Sequence, residues 1–231
     1  MSLIWDGITQ AVWLVLTGDA EVLAVTWLSL RVSATATVVS LLVGMPIGTA
    51  LALGRFPGRG LVVSLVNTGM GLPPVVVGLF ISIMLWRSGP LGVLELLYTP
   101  TAIVLAQFVI AVPVVTGLSM AAVQQIPDRF RLQMLALGAS RAQLTWLLIR
   151  EARLPLLAAL MAGFGAVISE VGASLMVGGN IRHQTRVLTT ATVLETGKGN
   201  FDVAIALSVL LLLITFLVNW ALTWIQQRGR P

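Results

Sequence analysis

The chain has 231 residues, of which 57% are hydrophobic and 10% charged, and its mean hydropathy is +0.97. This composition excludes an ordinary water-soluble domain and indicates an integral membrane protein. Cysteine is absent and His183 is the single histidine, so disulfides, thiol catalysis and a histidine-rich metal site are excluded. The net charge of +5 comes without a basic run interleaved with aromatics, which favours membrane topology over nucleic-acid binding as its explanation.

The N-terminal residues 1–26 differ from the transmembrane domain that we assign to residues 27–231. Asp6 lies where a secretory signal carries positive charge, and the apolar run that follows it is short, so a signal peptide is not indicated. We expect residues 1–21 to form an interfacial helix, with Trp5 and Trp13 at the level of the lipid headgroups.

Several apolar segments are long enough to cross a hydrocarbon core, which takes about 20 residues. They comprise residues 29–53, 61–86, 101–123, 154–177 and 203–224. The expected fold class is therefore all-α, a polytopic membrane helical bundle with about five transmembrane helices.

The distribution of charge predicts the orientation of these spans. With a cytoplasmic C-terminus, the inner side holds Arg55, Arg59, Arg129, Arg131, Arg141, Arg150, Arg153, Arg228 and Arg230. The outer side then holds Arg87, Arg182, Arg186 and Lys198, with Arg31 near the end of a span. The positive-inside rule favours this orientation, and an odd number of spans places the N-terminus outside.

Helix-breaking residues occur inside the spans. The adjacent Pro73 and Pro74 remove two N–H donors and force an extended residue before them, so the second span is predicted to be kinked or broken. Gly44 to Gly48 is expected to interrupt the first span and Pro113 the third, which requires the freed backbone groups to face protein or a wet cavity. Gly44 and Gly48 fit a small-xxx-small packing face equally well.

Residues 127–155, here called the elbow segment, are polar and rich in arginine, and they predict two short helices. Asp128 is the expected N-cap of the first helix, and Phe130, Met134 and Leu137 follow at helical spacing on one face. Gly138 fits a left-handed stop, and Ser140-Arg141-Ala142-Gln143 then fits a capping box that starts the second helix. A partner protein could bury the apolar face of this segment, but the same signals also fit a hairpin that covers its own bundle.

Glu170 is a carboxylate deep within a predicted span, where an ionised side chain costs about 2.5 to 3.5 kcal/mol. We expect it to face the bundle interior, either beside a pathway or as a hydrogen-bonded structural residue, and we favour a structural or gating role. In the polar outer loop, residues 180–202, Thr185 and Arg186 could attract an oxyanion. A solvated rim or a docking surface for another protein explains the loop equally well.

Motifs for catalysis are missing from the sequence. There is no Gly-x-x-x-x-Gly-Lys-Ser/Thr motif, so any ATP acts through a partner chain. There is also no Gly-x-Ser-x-Gly, no His-Glu-x-x-His and no pair of intramembrane carboxylates, which excludes the usual intramembrane enzymes. Because the elbow segment occurs once, contact with two ATPase subunits would require a symmetric homodimer.

The elbow segment resembles the coupling loop of ABC-importer permeases, which has Glu-Ala-Ala, three residues, Gly and a later apolar-x-Leu-Pro. The matching residues are Leu135-Ala-Leu-Gly138-Ala-Ser-Arg141 and Leu154-Pro155. Leu132-Gln133-Met134 replaces Glu-Ala-Ala, and Arg150-Glu151 stands at the first expected Leu-Pro position. Residues 72–78, 168–173, 185–190 and 194–200 resemble the tungstate branch of the molybdate/tungstate permeases, and the resemblance covers the chain from about Trp27 onward.

The resemblance implies a type I importer permease of a prokaryotic inner membrane that works as a homodimer. It implies two ATPase subunits that bind ATP and Mg²⁺, and an extracytoplasmic protein that delivers tungstate or a related oxyanion. This chain itself would hold no cofactor, metal or catalytic residue. The residues expected to couple to the ATPase are Asp128, Phe130, Met134, Gly138, Ala139, Ser140, Arg141 and Leu144. Those expected to line the pathway or gate are Pro73, Pro74, Glu170, Thr185 and Arg186.

Two alternatives belong to other functional classes. A stand-alone secondary anion transporter would usually carry an internal repeat, and none is found. A membrane scaffold that transports nothing would not need Glu170 or the Pro73-Pro74 break. Within the favoured class, molybdate, sulfate and phosphate remain open, because tetrahedral oxyanions present similar hydrogen-bond acceptors.

Overall fold

The computed structural model describes residues 2–228, so Arg230, which the charge pattern assigned to the inner side, lies outside the described residues. The helices are α1 (Ser2–Thr17), α2 (Ala20–Leu53), α3 (Arg59–Met70), α4 (Pro74–Leu85), α5 (Pro100–Gln124), α6 (Asp128–Ala136), α7 (Arg141–Glu151), α8 (Arg153–Ile168), α9 (Gly172–Gly178), α10 (Leu188–Lys198) and α11 (Phe201–Arg228). A short 3₁₀ turn, Gly92–Leu94, precedes α5. No strand occurs in residues 2–228, and the all-α class is confirmed.

Up to five membrane spans are present in the described residues. The helices α2, α5 and α11 are each long and apolar enough to cross a membrane alone. Two bent pairs of helices raise this number from three to five if each pair is one span. They are α3 with α4, bent by 101°, and α7 with α8, bent by 67°. The span expected at residues 154–177 is divided into α8 and α9.

The helices α2 and α5 run in the same direction and form the centre of the bundle. Gly44 lies against Thr116, and a Cβ atom at Gly48 would collide with the carbonyl oxygen of Thr116. These glycines therefore form a close-packing face between α2 and α5, which confirms the small-xxx-small interpretation. The expected interruptions are wrong: α2 continues through Pro46 and α5 through Pro113, because tight packing between neighbours holds each helix despite one lost hydrogen bond.

The second span breaks where the two prolines predict. The helix α3 ends at Met70, and α4 begins at Pro74 with Pro73 in the extended conformation before it. The angle between the two helices is 101°, and both pack on α5, but α4 also packs on α9. Gly69 of α3 lies against Pro113 of α5.

The N-terminal helix α1 packs against the start of α11. A Cβ atom at Gly7 would meet Ile205, and Ala11 is buried against Ala206. Trp5 and Trp13 are exposed, as residues at headgroup level would be. The helix α2 runs without a break through the expected domain boundary at residue 26, and the interfacial role of residues 1–21 stays a prediction.

Candidate functional site

The elbow segment turns at Gly138 through a Schellman motif. Gly138 has φ of +85°, its N–H donates to the Leu135 carbonyl at 3.0 Å, and the Ala139 N–H donates to the Met134 carbonyl at 3.0 Å. These two bonds satisfy carbonyls that the end of α6 would leave without a partner. The predicted left-handed stop at Gly138 is confirmed, and the residue is exposed.

The second helix of the elbow segment begins with the predicted capping box. The Ser140 N–H donates to Gln143 Oε1 at 2.8 Å, and the Gln143 N–H donates to Ser140 Oγ at 3.3 Å. Arg141 is the first residue of α7 and is exposed. The turn between the two helices is therefore held entirely by local bonds.

The predicted N-cap of α6 is wrong. Pro127 occupies the N-cap position, and Asp128 is the first residue of the helix, with no side-chain capping bond. Its carboxylate lies 3.7 Å from the Arg131 guanidinium instead. An acidic residue in the first turn still interacts favourably with the helix dipole.

The apolar side chains of the elbow segment divide into two faces. Phe130 and Leu144 are half-buried and pack on the buried cluster at the junction of α5, α7 and α8, so they hold the segment to the bundle. Leu132 is 67% exposed and Leu137 is 75% exposed, and Leu135 is exposed beside them. The apolar side chains open to a partner are therefore Leu132, Leu135 and Leu137. The grouping of Leu137 with Phe130 and Met134, predicted from helical spacing, is wrong, because Leu137 follows the last residue of α6 and is exposed.

Arg131 connects the elbow segment to α5. Its Nη2 donates at 3.2 Å to the carbonyl oxygen of Val123, in the last turn of α5, and its side chain is 23% exposed. The Val123 carbonyl also accepts the Ile126 N–H at 3.3 Å, so the guanidinium adds a second bond at the end of α5 and stabilises that helix end. The sequence analysis counted Arg131 only as a topological charge, and no sequence signal identified its partner.

An open groove lies beside these contacts, between α6, the end of α5 and the junction of α7 and α8. Its volume is about 430 Å³. It is lined by Ala122, Gln125, Ile126, Pro127, Arg129, Phe130, Gln133, Glu151, Ala152 and Pro155. The helix α6 therefore stands away from the bundle along part of its length and contacts it through Phe130 and Arg131, whereas Leu148 of α7 is fully buried in the cluster.

Glu170 lies at the break between α8 and α9 and is 6% exposed. One carboxylate oxygen accepts the Ala173 N–H at 2.9 Å, and the other accepts the Ser174 N–H and the Ser174 hydroxyl, both at 3.0 Å. The side chain therefore caps the N-terminus of α9, which explains how a carboxylate is accommodated inside the bundle. This geometry fits the structural or gating role better than contact with an anion.

Two further buried side chains donate hydrogen bonds to backbone carbonyls at the break between α8 and α9. Gln107 of α5 donates through Nε2 to the Val167 carbonyl at 3.1 Å, and the Thr189 hydroxyl of α10 donates to the Glu170 carbonyl at 2.9 Å. We call Gln107, Glu170, Ser174 and Thr189 the polar girdle. It connects α5, α8, α9 and α10, and the sequence analysis identified only Glu170 among its members.

The two interrupted helices meet each other. A Cβ atom at Gly172, the first residue of α9, would collide with Val75 in the first turn of α4, and Gly78 lies against Ala173. Pro73 and Pro74 are exposed at the start of α4. The structure thus brings the Pro73-Pro74 break beside the break that Glu170 caps.

Thr185 and Arg186 have other surroundings. The Thr185 hydroxyl donates to the Gly178 carbonyl and accepts the Ile181 N–H at 3.0 Å, so it closes the loop that follows α9. The Arg186 guanidinium lies 3.3 Å from Glu21, which also pairs with Arg182. A contact of Thr185 or Arg186 with substrate stays a prediction.

The end of the polar segment 180–202 also contains internal ion pairs and hydrogen bonds. Lys198 and Asn200 both donate to the Glu195 carboxylate at 2.7 Å. The bond from Lys198, followed by the bond from Asn200, lowers the pKa of Glu195 below its ordinary value. Carboxylates thus neutralise part of the positive charge of residues 180–202. Residues 188–198 form the helix α10, however, and Leu188, Thr189 and Thr190 are buried, so the solvated-rim interpretation is wrong for this part of the segment.

Comparison with known proteins assigns this arrangement to a family. Residues 44–231 match the family described as the binding-protein-dependent transport system inner membrane component. The chain belongs to this family. A probable anion ABC transporter permease protein of Haloferax volcanii is 44% identical over 201 residues, covering 85% of this chain and 87% of the relative.

Other relatives carry the names of oxyanion permeases. The tungstate uptake system permease protein TupB of Peptoclostridium acidaminophilum is 36% identical, covering 98% of this chain and 100% of the relative. The molybdenum transport system permease protein ModB of Escherichia coli K12 is 29% identical, covering 88% and 93%. These relatives are permease subunits, and the ATPase of such transporters is a separate subunit, which confirms that this family member is a transport subunit and not the enzyme.

The fold is shared with a solved ABC importer. The methionine transporter MetNI in an inward-facing conformation superposes with a TM-score of 0.74 at 19% identity, covering 90% of this chain and 95% of that chain. A second crystal form gives 0.72 at 21% identity, covering 87% and 93%. The type I importer fold expected from the sequence is confirmed.

Proposed function

We propose that this family member is the permease subunit of an importer for tungstate or molybdate. The proposal is carried by the match to a tungstate permease over 98% of the chain. Family membership also decides against the secondary transporter and the scaffold, since the matching relatives are subunits of ABC transporters.

The proposed assembly contains two copies of the chain, two P-loop ATPase subunits and an extracytoplasmic binding protein. A second copy is supported by the surface of α3 and α4, where α3 has no buried residue and Leu61, Leu65 and Phe80 are exposed. The proposed orientation places the C-terminus and the elbow segment in the cytoplasm and the N-terminus outside. ATP and Mg²⁺ belong to the partner subunit, and no residue of this chain is assigned to them.

The proposed mechanism couples the elbow segment to the polar girdle through α5. The ATPase binds the exposed side chains of Leu132, Leu135 and Leu137. The hydrogen bond of Arg131 then transmits the displacement of α6 to the end of α5. Gln107 lies on the same helix and holds the break between α8 and α9. Approach of the two elbow segments would shift both interrupted helices and turn the central cavity from inward-facing to outward-facing.

Coupling is tested with the double variant Leu132→Glu/Leu135→Glu in the transporter reconstituted with its ATPase and binding protein. We expect loss of tungstate uptake and of ATPase stimulation by the binding protein, because two charges replace the apolar contact. Gln133→Glu is the matched control, since it adds charge to the opposite face of the same helix. Normal uptake by the double variant would contradict the assignment of the elbow segment.

Substrate choice is tested by competition in the same vesicles. Unlabelled tungstate and molybdate should suppress uptake of labelled tungstate at lower concentrations than sulfate does. Equal suppression by all three ions would leave the permease assignment intact and refute the choice of tungstate or molybdate.

A further inference from the structure

An apolar groove runs along the outside of the bundle between α2, α8 and α11. It consists of two cavities of about 470 Å³ and about 300 Å³, which share Leu160. The walls are formed by Leu41, Met45, Leu157, Val218, Leu222 and Ile225. Because α2 and α11 are long apolar spans, this groove opens towards the hydrocarbon of the bilayer and not towards water.

Arginine side chains lie at both ends of the groove. Arg150 and Arg153 line the end where α7 meets α8, and Arg31 lines the opposite end. The Arg150 guanidinium lies over the Trp146 ring, 5.3 Å from its centroid. Within the described residues, no acidic side chain lines either cavity. A site with apolar walls and cationic ends is complementary to an amphiphile with a negative headgroup.

We propose that this groove binds an anionic phospholipid, with the phosphate between Arg150 and Arg153 and one acyl chain along the leucine-lined wall. Guanidinium groups bind phosphate oxygens in a bidentate manner, and basic pockets between membrane helices at the cytoplasmic side bind anionic headgroups. Placement of this lipid in the inner leaflet depends on the orientation given under the proposed function. Binding itself depends only on the groove and its arginines.

The alternative occupants fit the groove less well. A soluble protein cannot enter a groove whose walls are membrane-crossing helices. A second copy of the chain has an extended apolar surface available on α3 and α4, on another part of the bundle. The paired arginines at one end would also repel the arginine-rich inner surface of another copy.

The site has a consequence for the elbow segment. Arg150 belongs to α7, whereas the Leu154 carbonyl in α8 accepts a bond from Gln226 of α11 at 3.1 Å. A lipid in the groove would therefore contact α7, α8 and α11 together. It would stabilise the junction on which the elbow segment moves.

The proposal is tested on the purified full-length chain by native mass spectrometry after addition of phosphatidylglycerol or phosphatidylcholine. We expect the chain to retain phosphatidylglycerol preferentially. In Arg150→Gln/Arg153→Gln, that preference should fall about tenfold or more, because two guanidinium contacts to phosphate are lost. Arg55→Gln/Arg129→Gln is the matched control, since it removes the same charge from arginines that do not line the groove.

Two results would overturn the lipid site. The first is equal retention of phosphatidylglycerol and phosphatidylcholine by the unaltered chain. The second is an equal loss of phosphatidylglycerol in Arg150→Gln/Arg153→Gln and in the control Arg55→Gln/Arg129→Gln. A second variant, Leu160→Trp, fills the groove without changing charge and should also reduce retention. The assay needs no ATPase, so a failure of tungstate uptake and a failure of lipid binding are distinguishable.

The absence of cysteine in the chain permits a separate test for a protein occupant. A single cysteine introduced by Leu157→Cys should not form crosslinks between two copies in membranes if lipid fills the groove. Efficient crosslinking of two copies at this position would show that another copy of the chain occupies it, and would overturn the proposal.

Discussion

The turn of the elbow segment and the polar girdle differ in exposure to solvent and in the sequence separation of the residues that they bond. The turn of the elbow segment is exposed at Gly138 and Ser140, and bonds between residues close in sequence shape it, such as Ser140 with Gln143. The polar girdle is buried, and it joins residues far apart in sequence, such as Gln107 with Val167. Changes in the elbow segment should therefore impair coupling more than folding, whereas changes at Glu170 should impair both.

The largest effect is expected for Glu170→Ala. The substitution leaves the Ala173 N–H, the Ser174 N–H and the Ser174 hydroxyl without their buried acceptor. The free energy of unfolding should fall by roughly 3 to 5 kcal/mol, since each unpaired group costs about 1 to 3 kcal/mol. Thermal unfolding in detergent, together with tungstate uptake, measures the loss.

Two further variants sharpen the Glu170 prediction. Glu170→Gln keeps one acceptor oxygen and should lose less stability than Glu170→Ala. Glu151→Gln, at an exposed carboxylate of α7, should change little. An unaltered unfolding temperature for Glu170→Ala would show that the cap on α9 does not stabilise the bundle.

A smaller loss of stability is expected for Gly138→Val, with a larger effect on coupling. A branched side chain at φ of +85° costs about 1 to 2 kcal/mol, and nothing packs within 4 Å of the position to compensate. Uptake driven by ATP should be lost while insertion into the membrane continues. Gly60→Val is the control, because Gly60 also has open space around it but lies in an ordinary helical conformation.

The same contrast explains what could be predicted from the sequence. The Schellman turn at Gly138 and the capping box at Ser140 depend on residues a few positions apart, so their pattern is visible in the sequence. The break at Pro73-Pro74 is visible for the same reason, since proline cannot donate to the helix. The apolar composition alone predicts a helical membrane bundle.

The remaining features depend on contacts that no local pattern records. Asp128 is displaced from the N-cap by Pro127, and one of two similar apolar faces of α6 is exposed while the other packs on the bundle. Gln107 reaches the α8–α9 break from α5, far earlier in the chain, and Thr189 reaches it from α10 after an intervening loop. Only the packed structure shows that Thr185 closes its own loop.

Replacement of Arg131 by methionine tests the link between the two regions. It removes the bond to the Val123 carbonyl, which is worth about 1 kcal/mol, and an ion pair to an exposed carboxylate that contributes little. ATPase activity should continue while uptake per ATP falls, because the hydrogen bond from α6 to the end of α5 is lost. Arg129→Met, with the same change in charge at an exposed neighbour, should retain coupling.

The smallest effect on stability is expected for Gln107→Leu. This change removes one bond, worth about 0.5 to 1.5 kcal/mol, but it also removes a buried Oε1 that has no hydrogen-bond partner. The two contributions offset each other, so the unfolding temperature should barely move. Tungstate uptake should nevertheless fall, because the α8–α9 break loses its hydrogen bond from α5.

The matched control for Gln107→Leu is Thr116→Val on the same helix. Thr116 Oγ1 is also buried without a partner, but it lies against Gly44 and not beside the break. Thr116→Val should therefore leave both stability and uptake near those of the unaltered protein. If Gln107→Leu behaved in the same way as Thr116→Val in both measurements, the polar girdle would be a packing feature of the bundle and α5 would not transmit movement from the elbow segment to the break.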